Sequence, residues 1–306
     1  MRVVEQAPAK VNLFLGVEPR IVSGKHLLTS VFTTISVYDT LTFDIEQGPA
    51  LDSDAVTLDM TAAARVVLPD ISADDNVVLQ AVRAFISKFG HESVPAQKFH
   101  ITLEKRIPAQ AGMGGGSSDA AATLKVLARL SGMEQTAPEL LEVARKLGAD
   151  IPFFLFGGCV LMDGFGDSFV ERLTLPQTDL VLAKPACGVS ASEVYRAFDE
   201  LAPAVPDSAV LLAALRGGAE KAALCEGMEN NLEPVLRKML VEIANIERLL
   251  AACPRVIRTM LSGSGTVVFG VCEDIQAAQL AAGSMRGQGY WACAARTVQE
   301  ELTGAY

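Results

Sequence analysis

Apolar and polar residues alternate through several runs of the first 46 positions, most clearly in Val11-Asn12-Leu13-Phe14-Leu15 and across residues 31–37. A period of two predicts strands of an antiparallel sheet. The same period returns at 99–104, whereas residues 76–89 carry their apolar side chains at helical spacing. Over 117–130, Ala120, Leu124, Leu127 and Leu130 fall on one helix face, and 138–147 reads as a further helix closed by Gly148. Beyond about residue 155 the order changes. Strands are predicted at 159–162, 180–184, 267–271 and 290–297, and helices at about 191–200, 207–216, 233–251 and 274–286. In the longest of these helices Leu236, Met239, Ile243, Ile246 and Leu250 form the expected buried stripe. Strands and helices mix without a regular βαβ repeat, so the expected fold class is α+β, not a doubly wound sheet.

Composition narrows this picture. A chain of 306 residues, half of them hydrophobic, can bury ordinary cores and is long enough for two domains. The formal net charge is −10 and the basic residues are scattered, which argues against a nucleic-acid partner. No stretch reaches the ~20 apolar residues that span a bilayer, and residues 1–6 lack the apolar run of a signal peptide, so a cytoplasmic protein with no membrane partner is expected. The six cysteines form no paired motif and read as small core residues of a reducing compartment.

The strongest chemical signal is Pro108-Ala109-Gln110-Ala111-Gly112-Met113-Gly114-Gly115-Gly116-Ser117-Ser118-Asp119. A strand ends, four glycines follow within five residues, and two serines open an amphipathic helix. Glycines reach positive φ cheaply, so successive N–H groups can turn to one centre. The helix start adds unpaired amides and the positive end of its dipole. Together these make a nest for phosphate oxygens, and Ser117 or Ser118 can help hold Mg2+. The plainer reading is a flexible loop with a serine cap. No Gly-Lys-Ser/Thr follows as a Walker loop requires, and no βαβ context supports a dinucleotide loop. Two other segments stand out. Lys10 and Asn12 interrupt an apolar strand; a buried lysine is costly unless paired, so Lys10 either reaches water or meets a carboxylate. Leu261-Ser262-Gly263-Ser264-Gly265-Thr266 is a second small-residue loop entering a strand. Asp150, ahead of Pro152, fits a helix cap and a catalytic carboxylate equally well.

These three loops, in this order, resemble the GHMP kinase superfamily. Within it the chain is most similar to the family that phosphorylates 4-diphosphocytidyl-2-C-methyl-D-erythritol in non-mevalonate isoprenoid synthesis. The resemblance extends through Gly24-Lys25-His26, Asp75-Asn76-Val77-Val78, Gly148-Ala149-Asp150-Ile151-Pro152, Gly164-Phe165-Gly166-Asp167, Lys184-Pro185, Gly188-Val189-Ser190 with Tyr195, and Asn230-Asn231-Leu232-Glu233. It implies two α+β lobes, an ATP-binding ribosomal-protein-like lobe over 1–155 and a ferredoxin-like lobe over 156–306, with the active site in the cleft between. It also implies an ATP- and Mg2+-dependent kinase in which Lys10 and Asp150 form the catalytic pair. Asn76 and Lys105 would lie near adenine, and Gly112, Gly114, Gly115, Gly116, Ser117 and Ser118 would wrap the phosphates. Asn12, His26 and Tyr195 would meet the substrate, a cytidine diphosphate-linked sugar alcohol, with His26 on the cytosine edge and Tyr195 on its face. Lys25 departs from the family, which usually has a tyrosine there to stack on cytosine. A kinase of another small alcohol, such as mevalonate or homoserine, is the alternative with the same fold. A catalytically silent ligand-binding relative is the other, although such relatives typically lose the base or the phosphate loop and this chain has Lys10, Asp150 and Gly112 to Ser118. Monomer and homodimer both stay open.

Overall fold

The computed structural model describes residues 1–68, 71–72, 75–218 and 220–299. They form two compact units. One comprises residues 1–9, 37–109 and 114–156, the other residues 10–36, 110–113 and the chain from Gly157 onward. The first unit ends at Phe156, while the earlier segments 10–36 and 110–113 belong to the second unit. The cause is strand length. β1 (Arg2–Val22) and β2 (Lys25–Gln47) have 21 and 23 residues, a contour of about 70 Å each, and so contribute to both units.

In the first unit, β3 (Val56–Ala62), α1 (Val77–Phe89), β4 (Ala96–Lys105), α2 (Gly115–Leu130), α3 (Pro138–Leu147) and α4 (Ile151–Phe156) follow the end of β2. The strand order is β3-β4-β2. β4 runs antiparallel to β2, from Thr40 opposite Glu104 to Gln47 opposite Ala96, and parallel to β3. Asp39, Leu41, Phe43 and Ile45 share the buried face of β2. Val78, Leu79, Val82, Phe85 and Ile86 bury one side of α1, at the three-and-four spacing read from the sequence. α1 packs on α2 and α3, and α2 packs on α4.

The second unit adds β5 (Cys159–Asp163), β6 (Ser168–Leu173), β7 (Asp179–Lys184), α5 (Ala191–Leu201), α6 (Ala209–Arg216), α7 (Lys221–Glu226), β8 (Glu229–Asn230), α8 (Glu233–Met239), α9 (Val241–Ala251), β9 (Val256–Leu261), β10 (Val268–Cys272), α10 (Ile275–Gly287) and β11 (Trp291–Arg296). β5 pairs with Ser30–Thr33 of β2 and with β6. β8 lies parallel to Phe14 and Leu15 of β1. β11-β7-β10-β9 form an antiparallel four-stranded sheet. Its chain order of strand, helices, two strands, helix and strand is the ferredoxin-like pattern expected for this half.

One expectation is corrected. The helix predicted over 233–251 is two helices, broken at Leu240, whose φ of −142° and ψ of 103° are extended. Met239 consequently leaves the stripe and is 38% exposed, while Leu236, Ile243, Ile246 and Leu250 stay buried. No glycine or proline marks the break, so nothing local signals it. β3 and β6 escape the pattern because they contribute almost no fully buried residue. α4 escapes because all but one of its six residues are buried, leaving no period to read.

Candidate active site

The glycine loop passes from one unit to the other between Met113 and Gly114. Its first part is held by the second small-residue loop. Thr266 donates its backbone N–H at 3.1 Å and its hydroxyl at 3.2 Å to the Gln110 carbonyl. Val267 N–H donates to Ala111 O at 3.0 Å, Ser262 Oγ to Gly112 O at 2.9 Å, and Lys10 N–H to Met113 O at 3.0 Å. Four successive carbonyls are thus committed to protein donors, and the face left for an anion is that of the amides. Gly112 has φ +70°, and a Cβ there would sit 2.1 Å from Ser262 O, so the approach requires glycine. Asn230 supports the second loop by donating to Leu261 O and Gly263 O at 3.0 and 2.9 Å.

The second part of the glycine loop belongs to the first unit. Gly114, at φ 69° and ψ 22°, caps α2 without a side-chain bond, and Gly115, Gly116 and Ser117 form the opening turn. The first N–H groups of such a helix lack intrahelical acceptors and carry the positive dipole end. Ser118 is buried, and its hydroxyl has no hydrogen-bond partner among the described residues. Asn76, expected near adenine, caps α1 by accepting from Val78 N–H at 2.9 Å, with its amide nitrogen on Met60 Sδ at 3.2 Å.

Lys105, the other residue expected near adenine, directs its ammonium into the protein. It bridges the buried carboxylates of Asp39 and Asp119, the latter at 2.6 Å. Asp39 Oδ1 also accepts from the N–H groups of Arg106 at 2.5 Å and Ile107 at 2.8 Å, where the strand leaves for the loop. Two carboxylates around one ammonium leave an excess negative charge. Burial raises Asp119 to about 8, with Lys105 opposing and Asp39 reinforcing the shift. Burial alone would lower the Lys105 ammonium, but attraction to Asp119 and Asp39 outweighs it and the net shift is upward. No motif marks Asp39 in the sequence, although alternation with Leu41 and Phe43 puts it on the inward face.

Lys10, 3% exposed, donates to Asn12 Oδ1 at 2.7 Å and lies 5.1 Å from the centre of the Phe32 ring. The amide of Asn12 donates in turn to Ser30 Oγ at 2.8 Å. Asp150 stands half-buried immediately before α4. His26 stacks on Tyr195 at 5.5 Å and 16°, with Phe198 edge-on at 5.4 Å. Its ring nitrogens face Glu18 O at 2.8 Å and Asp199 Oδ1 at 3.0 Å. Lys25 lies 5.8 Å from the centre of the Phe165 ring. Among the described residues no cluster of three or more His, Cys, Asp or Glu could hold a metal ion, and no helix is long and apolar enough to cross a membrane.

The segment from the α1 cap through α4 matches the model of the GHMP kinases N terminal domain over residues 76–158. A relative from Desulfitobacterium hafniense named 4-diphosphocytidyl-2-C-methyl-D-erythritol kinase is 34% identical over 294 residues, covering 96% of this chain and 95% of its own. The chain belongs to the 4-diphosphocytidyl-2-C-methyl-D-erythritol kinase family. A crystal structure of 4-(cytidine 5'-diphospho)-2C-methyl-D-erythritol kinase superposes with a TM-score of 0.75 at 30% identity, over 98% of this chain and 100% of that one. A homoserine kinase from Cytophaga hutchinsonii shares the fold, with a TM-score of 0.70 at 16% identity over 97% and 95% of the two chains. Family membership thus spans the two-lobed α+β architecture as well as the glycine loop.

Proposed function

We propose that the chain is an ATP-dependent kinase that phosphorylates the 2-hydroxyl of 4-diphosphocytidyl-2-C-methyl-D-erythritol. The observation that carries this reading is the anchored glycine loop. Four consecutive carbonyls are tied down, and a helix start with unpaired amides follows, the arrangement that receives phosphate oxygens. Family relatives at 34% identity over nearly the whole chain support the acceptor. Phosphoryl transfer asks mainly for alignment and charge stabilisation, and this chain has groups for both. Gly112, Gly114, Gly115, Gly116, Ser117 and Ser118 hold the phosphates. Asp150 takes the proton from the acceptor hydroxyl, and the Lys10 ammonium offsets charge developing around it. A Mg2+ ion entering with the nucleotide would neutralise charge on the transferring group. The buried Ser118 hydroxyl, without a partner among the described residues, is the oxygen that would hold it.

His26 and Tyr195 recognise the cytidine end. Tyr195 offers its ring, and the base edge takes the place of the Asp199 carboxylate at His26 Nε2. Lys25 replaces the family tyrosine, and Phe165 beside it is the aromatic ring available for the other face, a contact worth about 1–3 kcal/mol per base. The test is Asp150→Asn assayed with this acceptor and with mevalonate and homoserine. Wild type should turn over the cytidylyl acceptor fastest, and the variant should bind ATP normally while losing at least about a hundredfold in kcat. Equal turnover of all three acceptors refutes the substrate, and undiminished kcat removes Asp150 from the chemistry.

A further inference from the structure

Lys10 begins a chain of hydrogen bonds whose direction is set at its far end. Lys10 Nζ donates to Asn12 Oδ1 at 2.7 Å, Asn12 Nδ2 to Ser30 Oγ at 2.8 Å, and Ser30 Oγ to Phe14 O at 2.7 Å. Lys10, Asn12, Phe14 and Ser30 are all buried, Ser30 completely, so no water competes for these groups. A backbone carbonyl can only accept. The single hydroxyl proton of Ser30 is therefore spent on Phe14, and towards Asn12 its oxygen can only accept. That requirement places the amide nitrogen of Asn12 at Ser30 and the amide oxygen at Lys10. A flipped amide would set its N–H groups against the ammonium and its oxygen against a serine oxygen that has no proton left to donate.

We infer that Ser30 is a positioning residue for phosphoryl transfer: through Asn12 it fixes where the Lys10 ammonium sits. This rests on the role proposed above for Lys10 and assigns Asn12 to the lysine as well as to the substrate side. Without the serine hydroxyl, Asn12 has no acceptor for its nitrogen and loses the reason to keep its oxygen on Lys10. The ammonium then loses the Asn12 acceptor that fixes its place, beside the Phe32 ring 5.1 Å away. A charge aimed at the transition state loses much of its effect when displaced, and misplacement by ~1 Å can reduce turnover by ~100-fold. ATP binding through backbone amides need not change.

The experiment compares Ser30→Ala, Asn12→Ala, the double variant and Lys10→Met in steady-state kinetics below their melting temperatures. Ser30→Ala should lower kcat about tenfold or more while KM for ATP stays within about twofold. Asn12→Ala should lose at least as much, and the double variant should match Asn12→Ala alone, because the serine acts only through the amide. A merely structural serine would lower the melting temperature and act equally in both backgrounds. Unchanged kcat in Ser30→Ala, or a double variant showing the product of the single effects, overturns the inference. Should Ser30→Ala fail to fold, Asn12→Ala decides alone: full kcat there refutes the relay. Lys10→Met separates the two levels. Its retaining full kcat would remove the role proposed for Lys10, whereas loss there with normal Ser30→Ala and Asn12→Ala would remove only the relay.

Discussion

Replacing Gly112 and Gly116 by alanine separates what the loop needs to fold from what it needs to bind. At Gly112 the backbone is left-handed, at φ +70°, and an added Cβ would lie 2.1 Å from Ser262 O and 2.9 Å from Gly265 N. Left-handed backbone costs a non-glycine residue about 1–2 kcal/mol. The carbonyl of Ser262 must also retreat, taking with it the Ser262–Gly112 bond and weakening those from Thr266 and Val267 to Gln110 and Ala111. At about 1 kcal/mol for each bond the total reaches about 3–5 kcal/mol. At Gly116, in the opening turn of α2, the nearest atom to the new methyl is Val77 Cγ2 at an ordinary 3.6 Å. There alanine should be neutral or stabilising by up to about 1 kcal/mol, since glycine is a poor helix residue. Urea unfolding followed by the single tryptophan, Trp291 in the same unit as Gly112, measures the first difference. ATP titration calorimetry measures the second. Gly112→Ala should unfold at clearly lower urea. Gly116→Ala should keep its midpoint and lose ATP affinity, because the methyl occupies space at the amides. A Gly112→Ala unfolding free energy within about 1 kcal/mol of wild type would refute the anchoring of the loop by Ser262, Thr266 and Val267.

Two further outcomes follow from buried charges. Lys105→Met leaves Asp39 and Asp119 facing each other without their cation and should cost about 3–5 kcal/mol, whereas Lys105→Met combined with Asp119→Leu should recover a measurable part of it; equal unfolding midpoints for the two variants would refute the bridge. Glu233 is raised to about 8 by burial first and then by Glu247, which shares the Arg237 guanidinium with it. A raised carboxyl binds its proton in the folded state and releases it on unfolding, so its cost is absent below about pH 4.5 and grows until about pH 8, by up to about 1.4 kcal/mol per pH unit. Glu233→Gln should therefore gain stability over wild type progressively across that window. Parallel stability–pH curves for the two proteins would show that the shift is absent.

The loops were legible in the chain because their chemistry is local. A strand end, glycines at fixed positions and a helix start create an amide nest whatever surrounds them, and the ends of α1, α2 and α3 fall within two residues of the periodicity that predicts them. Family motifs added roles that composition could not supply. Contacts distant in sequence were another matter. That Thr266 and Ser262 hold Gln110 and Gly112 across about 150 positions, that Asp39 reaches Lys105 across 66, and that Ser30 governs the amide of Asn12 depend on how strands come to lie beside one another. Alternation with Leu41 and Phe43 is enough to put Asp39 on the inward face but does not say which cation waits there. The break at Leu240 is of the same kind, for an extended residue without glycine or proline is chosen by the two surfaces its helices must cover. Local backbone preference settles elements and turns; pairing between remote side chains is settled only when the core closes, because burial makes each unmatched donor, acceptor or charge too costly to leave alone.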